Sequence, residues 1–174
     1  MDATLVVGPR RACRRGDYRH STACVMPAVA ASVPALRRFA VRTARRCGLL
    51  DDVAEALALI VTELVTNAVR HSGSPDVTLL LCVADGDLTV QVSDTGRWRR
   101  PTAPPASEPG AREPGPLCGG RGLLLVEAYA ASCAVQVSRS GTTVTAELRL
   151  PPKAAAHPLT DPLQPRVRVC AATP

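Results

Sequence analysis

The spacing of apolar and polar positions divides the chain into helical and extended segments. The clearest helical pattern runs from about Asp51 to His71. Its apolar residues recur every three or four positions, as on the buried face of a helix; they are Leu57, Val61, Leu64 and Ala68. Two acids, Asp51 and Asp52, open this segment, which suits the positive end of a helix dipole. We therefore predict a long helix with one face in the core.

Two shorter helices are predicted on either side of it. The first starts near Ser32, which stands at an N-cap position, and runs to Cys47. Gly48 follows as the residue that ends a helix in a left-handed conformation. The other short helix runs from Leu123 to Ala131, directly after a cluster of glycines.

Alternating or continuous apolar runs bounded by turn residues predict strands. Five segments fit this pattern: 21–26, 77–83, 88–93, 134–138 and 142–150. Tight turns at 85–87 and 139–141 join the last four into two hairpins. The order of elements predicts an α+β two-layer sandwich, with a mixed, mostly antiparallel sheet covered by about three helices on one face.

Composition sets the expected domain bounds. Residues 1–19 are rich in arginine, which predicts a basic, mobile arm, and the Pro-rich residues 152–174 predict a disordered tail. Between them, residues 20–151 supply one core. Within this domain, residues 97–119 are Pro-rich and poor in large apolar side chains, which predicts a long loop.

Charge and composition exclude several classes of function. The net charge of +6 leaves a basic nucleic-acid binder open as one reading, but only 2% of the residues are aromatic, which argues against direct nucleic-acid binding. The seven cysteines are scattered without a Cys-x-x-Cys pair, which argues against a zinc site and favours thiols in a reducing compartment. Without a long apolar run we expect no membrane span and a cytoplasmic protein.

Three small polar groups are candidates for chemistry. On the long helix, Glu63 and Asn67 lie one turn apart with Arg70 nearby, although an ordinary solvated helix face would look the same. His71 ends that helix, where a cation suits the dipole. Asp94 and Gly96 follow a strand, where a carboxylate can accept a hydrogen bond from an exocyclic amine, although a simple turn also fits.

The third group is a glycine-rich helix start, formed by Gly120, Arg121 and Gly122. Unpaired backbone N–H groups at such a position favour phosphate, whereas a flexible hinge is the plain alternative. No Gly-Lys-Ser/Thr sequence follows, so this is not a Walker loop, and the glycine spacing is not that of a Rossmann site.

Taken in order, these groups resemble the nucleotide-binding boxes of the GHKL superfamily, which includes gyrases, heat-shock chaperones, histidine kinases and MutL repair proteins. Residues 63–71 (Glu-Leu-Val-Thr-Asn-Ala-Val-Arg-His) resemble the N box, 94–96 the first glycine box and 120–122 the second. Residues 141–144 resemble the final strand, where a threonine, here Thr142, helps to hold the adenine-binding aspartate and a water. Residues 97–119 fall where the family has its ATP lid. The resemblance covers about residues 20–151 and implies a Bergerat-type ATP-binding fold.

Within the superfamily, the size of the chain and its N box resemble the anti-sigma factor serine/threonine kinases. By that resemblance the chain would bind a sigma factor and phosphorylate an anti-anti-sigma partner of the STAS type. ATP and Mg²⁺ would be the cofactors, with Asn67 as the Mg²⁺ ligand and Asp94 bound to the adenine amino group. Glu63 would orient or deprotonate the attacking hydroxyl. The nucleotide would be held further by Arg70, His71, Gly96, Gly120, Arg121, Gly122 and Thr142.

Two alternatives stay open. An ATP-binding regulatory module that grips a protein partner without phosphoryl transfer would show the same boxes. A homodimer is also possible, and the helix that begins at Ser32 is a candidate surface for it.

Overall fold

The computed structural model describes residues 3–7, 18–84, 86–96, 121–151 and 169–171. Within these ranges the chain forms three helices and seven strands. In chain order they are β1 (Ala3–Val7), β2 (Tyr18–Pro27), α1 (Ser32–Arg46), α2 (Asp51–His71), β3 (Asp76–Ala84), β4 (Asp87–Asp94), α3 (Arg121–Tyr129), β5 (Ser132–Ser138), β6 (Gly141–Arg149) and β7 (Val169–Ala171). The predicted lid, residues 97–119, lies outside the described residues, as does Gly120.

All the strands belong to one sheet in the order β1-β5-β6-β4-β3-β2-β7. Every neighbouring pair is antiparallel except β2 and β7, which are parallel. The sheet is therefore mixed and mostly antiparallel, as the element order predicted.

The inner face of the sheet is apolar because each central strand places every second residue on it. The pairing registers align these residues in rows, one of which runs Cys24, Leu79, Val92, Val144 and Val135. All five are buried in a single core with apolar residues of the three helices. The fold is thus the α+β two-layer arrangement that the sequence predicted.

Helix α2 is the central element of the helical layer. It packs against α1, α3 and the sheet. Its predicted apolar stripe is buried, and its exposed residues are confined to its two ends, at Asp51, Asp52, Glu55, Arg70 and His71. None of the described helices is long and apolar enough to cross a membrane.

The outer face of the sheet carries hydroxyl and amide side chains. The Ser93 and Thr143 hydroxyl oxygens lie 3.1 Å apart on β4 and β6. The Ser132 hydroxyl donates to the Glu147 carboxylate at 2.8 Å, between β5 and β6. Such cross-strand pairs support the register between neighbouring strands.

The ends of α1 test two details of the sequence analysis. Ser32 is not the N-cap: Ala31 holds that position, and the Ser32 hydroxyl donates instead to the carbonyl of Pro27 at 2.7 Å. The hydroxyl therefore ties α1 to the end of β2. Gly48, with φ of +67°, has the left-handed conformation predicted for the residue after the helix.

Two strands were not predicted. Strand β1 pairs with β5, within the segment expected to be a mobile arm, and β7 pairs with β2, within the expected disordered tail. Each extends one edge of the sheet, where unpaired N–H and C=O groups otherwise remain. This corrects the expectation for residues 3–7 and 169–171, whereas the domain bounds at 20 and 151 stay predictions.

The four cysteines whose side chains the structure describes are thiols, as expected from their scatter; they are Cys24, Cys47, Cys82 and Cys133. Three are buried, and Cys47 is half-buried at the end of α1. Burial raises the pKa of the Cys47 thiol, although the neighbouring Arg46 charge opposes this shift. This thiol is therefore held in its neutral form at neutral pH.

Candidate functional site

Asp94 and Thr142 lie directly opposite each other, at the end of β4 and the start of β6. Both occupy the inner, helix-facing row of the sheet, and their side chains are 7% and 1% exposed. The Thr142 hydroxyl oxygen is buried and makes no hydrogen bond within the described part of the chain. Buried polar atoms of folded proteins ordinarily have a partner, so this hydroxyl marks a place for water or a ligand group.

Gly96 holds the turn that follows Asp94. Its backbone N–H donates to the Asp94 carboxylate, Oδ1, at 3.0 Å. A Cβ on Gly96 would overlap the carbonyl of Ser72 and lie 2.7 Å from the backbone nitrogen of Ser74. The backbone of this turn therefore packs directly against the backbone of the loop that follows α2. Only a glycine fits at position 96.

Gly141 makes a similar close backbone contact on the other side of Asp94. Its φ is +136°, a conformation that residues with a Cβ rarely adopt. A Cβ there would also overlap the Asp94 carbonyl and lie 2.7 Å from the Cα of Thr95. This close approach fixes the start of β6, and hence Thr142, beside the carboxylate.

A buried serine joins the Asp94 turn to the end of α2. The Ser74 hydroxyl oxygen accepts the backbone N–H of Thr95 at 3.1 Å and lies 3.0 Å from the Thr95 hydroxyl. It donates to the carbonyl of Asp76 at 2.6 Å. The backbone N–H of Ser74 donates in turn to the Ser72 hydroxyl at 3.0 Å. The sequence offers no local signal for this connection, which was not predicted.

Glu63 and Asn67 lie one turn apart on α2, and both are half-buried. The Glu63 side chain reaches the first turn of α3. A Cβ placed on Gly122 would lie 3.2 Å from the Glu63 carboxyl carbon and would overlap one of its oxygens. The structure thus brings together two groups that are distant in the sequence, and Gly122 provides the space for the carboxylate.

The remaining predicted residues are less constrained. Arg70 and His71 are exposed at the C-terminal end of α2. Arg121 is the first residue of α3, but the description does not extend to its side chain. These residues stay predictions.

The candidate site therefore has two ends. At the first, a buried carboxylate and a buried hydroxyl can receive a ligand that offers a hydrogen-bond donor. At the second, a carboxylate and a carboxamide lie beside a glycine at the start of a helix, a combination suited to phosphate and a hard cation. Glu63 precedes Ser72, the C-cap of α2 against which the Gly96 turn packs, by about 13 Å of helix at 1.5 Å per residue.

Comparison with known proteins identifies the family and the fold. The sequence pattern of the histidine kinase-like ATPase domain matches residues 26–148. No curated protein matches the chain. Among solved structures, the chain is similar in fold to the crystal structure of the RsbU and RsbW domains of Rv1364c from Mycobacterium tuberculosis, with a TM-score of 0.56 and 20% sequence identity.

That similarity covers 77% of this chain but only 34% of the mycobacterial one, so the chain spans about a third of the length of its structural relative. At this level of identity the comparison shows the fold alone. The family match covers most of the chain, from the end of β2 to the end of β6, and includes Glu63, Asn67, Asp94, Gly122 and Thr142. The chain belongs to the family of histidine kinase-like ATPase domains.

Proposed function

We propose that this protein is an ATP-binding anti-sigma regulatory factor that phosphorylates a serine or threonine of an anti-anti-sigma partner of the STAS type. The observation that carries the proposal is that buried Asp94 lies opposite Thr142, whose buried hydroxyl has no hydrogen-bond partner among the described residues. An ATPase domain implies ATP binding, and this pair is the part of the site best suited to select the base.

Adenine recognition follows from the chemistry of the pair. A carboxylate accepts hydrogen bonds and so favours the exocyclic amine of adenine over the carbonyl that guanine carries at the same position. Gly96 N–H donates to the Oδ1 atom of this carboxylate and so helps to orient the group that would accept from the base. The Thr142 hydroxyl can complete the site directly or through a water.

The phosphates would lie toward the other end of the site. Asn67 offers an amide oxygen to Mg²⁺, and backbone N–H groups at Gly120 and Gly122 would face the phosphates at the start of α3. We assign supporting contacts to Arg70 and Arg121, whose charge complements the nucleotide, and to His71. ATP would supply the phosphoryl group, and Mg²⁺ would neutralise its charge when bound.

Glu63 is the proposed catalytic residue. Its carboxylate lies against the first turn of α3, one helical turn from Asn67, and is half-buried. A carboxylate at that position can accept the proton of a serine or threonine hydroxyl or orient that hydroxyl. Phosphoryl transfer otherwise depends mainly on positioning and on neutralisation of charge.

The choice of partners rests on sequence resemblance. The N box is similar to that of the anti-sigma factor kinases, and the fold is shared with a solved protein that contains RsbU and RsbW domains. A sigma factor and an anti-anti-sigma protein are therefore the proposed partners. A homodimer that uses α1 is compatible with this function.

Calorimetric titration tests the binding half of the proposal. ATP with Mg²⁺ should bind the wild-type protein, and Asp94→Asn should weaken binding about 100-fold, because the substituted amide turns a hydrogen-bond donor toward the adenine amine. Asn67→Ala should remove the dependence of affinity on Mg²⁺. Ser93→Ala, beside Asp94 but on the outer face, is the matched control and should bind normally.

Labelled ATP tests the kinase half. The wild-type protein should transfer label to a candidate anti-anti-sigma protein. Binding of ATP without transfer to any candidate would instead establish the alternative, a regulatory module that uses ATP to shape a surface. An affinity that Asp94→Asn leaves unchanged would refute the proposed base site altogether.

A further inference from the structure

We infer that Ser74 is a positioning residue for the base-binding carboxylate, a role that rests on the proposed nucleotide site. Ser74 lies beyond the C-terminal end of α2 and its side chain is buried, with 8% exposed. Its hydroxyl contacts the turn that carries Asp94 and the first residue of β3. It therefore lies where three segments meet.

The donor and acceptor roles of the Ser74 hydroxyl follow from its partners. Its single proton goes to the Asp76 carbonyl, at 2.6 Å. Both of its lone pairs must then accept, and the Thr95 backbone N–H and the Thr95 hydroxyl supply the two donors, at 3.1 and 3.0 Å. A serine hydroxyl has one donor and two acceptor sites, so the main hydrogen-bonding capacity of Ser74 is used. Asp76 N–H adds only a long contact of 3.4 Å.

This arrangement acts on Asp94 through Thr95 and Gly96. With Thr95 held at two atoms, the following N–H of Gly96 points back at the Asp94 carboxylate. Removal of the Ser74 hydroxyl would release Thr95 and allow Gly96 N–H to turn away. The carboxylate would then lose one of the contacts that orient it toward the base.

The contact between Ser74 and Thr95 also links the two ends of the site. Ser74 follows α2, which carries Glu63 and Asn67, whereas Thr95 follows β4, which carries Asp94. The hydrogen bonds between Ser74 and Thr95 span 21 residues of sequence. They join the end of the helix that carries Glu63 and Asn67 to the base-binding turn, so adenine selection depends on a residue that touches no part of the base.

Hydrogen exchange on the nucleotide-free protein provides the first test. In Ser74→Ala the backbone amides of Thr95 and Gly96 should exchange about 10-fold faster, because their opening costs about 1.4 kcal/mol less. Ser93→Ala is the matched control, since it removes a serine–threonine hydroxyl contact of similar length, 3.1 Å, from the outer face. Equal exchange at Thr95 and Gly96 in wild type and Ser74→Ala would overturn the inference.

Base selection provides the second test. The ratio of ATP to GTP affinity should fall about 10-fold in Ser74→Ala, whereas the effect of Mg²⁺ on affinity should stay as in wild type. Thr95→Val should reproduce part of this loss. Thr95→Ser should keep the wild-type ratio, because serine retains the hydroxyl. Faster exchange with an unchanged ratio would reduce Ser74 to a structural residue and would also overturn the inference. Failure of wild type itself to bind ATP would refute the proposed function and, with it, the role in base selection.

Discussion

The two ends of the candidate site are built in different ways. At the base end, backbone contacts hold Asp94 from both sides: Gly141 presses on its carbonyl, and Gly96 donates to its carboxylate. At the phosphate end, Glu63 and Asn67 project from one helix and are only half-buried. Their geometry depends on side-chain rotamers and on the first turn of α3.

This difference separates recognition from chemistry. A side chain fixed by backbone register needs little reorganisation on binding, whereas one fixed by its rotamer can adjust to the ligand and the partner. We therefore expect base-end substitutions to change affinity or stability, and substitution of Glu63 at the phosphate end to change the rate of transfer. Single substitutions at the two ends test that separation.

Glu63→Gln should lower the rate of phosphoryl transfer about 100-fold or more, because the carboxylate that receives or orients the hydroxyl proton is lost. ATP affinity should change by less than about twofold, since the interaction belongs to the transition state. Single-turnover kinetics with labelled ATP, together with calorimetry, measure both values. Glu55→Gln, two turns earlier and exposed on the same helix, is the control. A matching loss of affinity in Glu63→Gln would show that the two ends are not separable.

Gly141→Ala should lower the free energy of unfolding by about 3 kcal/mol, because the new Cβ meets the Asp94 backbone in addition to the strain of a positive φ. Gly86→Ala provides the matched comparison: its φ is also positive, at +85°, but a Cβ there meets nothing within 4 Å. Strain alone should cost that variant about 1 kcal/mol. Urea denaturation measures both. Equal losses would mean that the start of β6 does not press on the base end.

Thr142→Val should have the smallest effect. It should raise the stability of the protein and lower its affinity for ATP. Valine has nearly the shape of threonine but removes a buried hydroxyl for which the described part of the chain supplies no partner, so the nucleotide-free protein should gain about 1 kcal/mol of stability. ATP affinity should fall about fivefold. Thr143→Val, one residue on and hydrogen-bonded to Ser93 on the outer face, should lose stability without a change in affinity. A loss of stability in Thr142→Val would contradict the assignment of its hydroxyl to the ligand.

Local patterns in the sequence predicted most of the elements. The bounds of α2 follow from its two opening acids, its apolar stripe and the Ser-Gly-Ser-Pro break. The two hairpins follow from alternation and turn residues. Strands β1 and β7 could not be predicted in this way, because short edge strands depend on the neighbour that they pair with rather than on their own pattern.

The candidate site likewise combines features set by local sequence with features set by nonlocal contacts. Glu63 and Asn67 share a helix face by spacing alone, which the sequence supplies. The opposition of Asp94 and Thr142 requires the register between β4 and β6, which lie 48 residues apart at this pair. It was expected only from the resemblance to a known family, since a shift of one residue would place Thr143 on the inner face instead. The contact of Ser74 with Thr95 is nonlocal as well and was missed.

The crowding around α2 has a consequence for how such chains diverge. Between Ala56 and Val69 no residue of this helix is exposed, because one side faces the core and the other faces the site or α3. A helix that is packed on every side tolerates few amino-acid substitutions. Most neutral substitutions are therefore expected at its ends and on the outer face of the sheet. Distant members of the family should then share a short stretch of α2 long after the rest of the sequence has lost any visible likeness. That is a physical reason for a family pattern to remain recognisable in a sequence such as this one, where it matches residues 26–148.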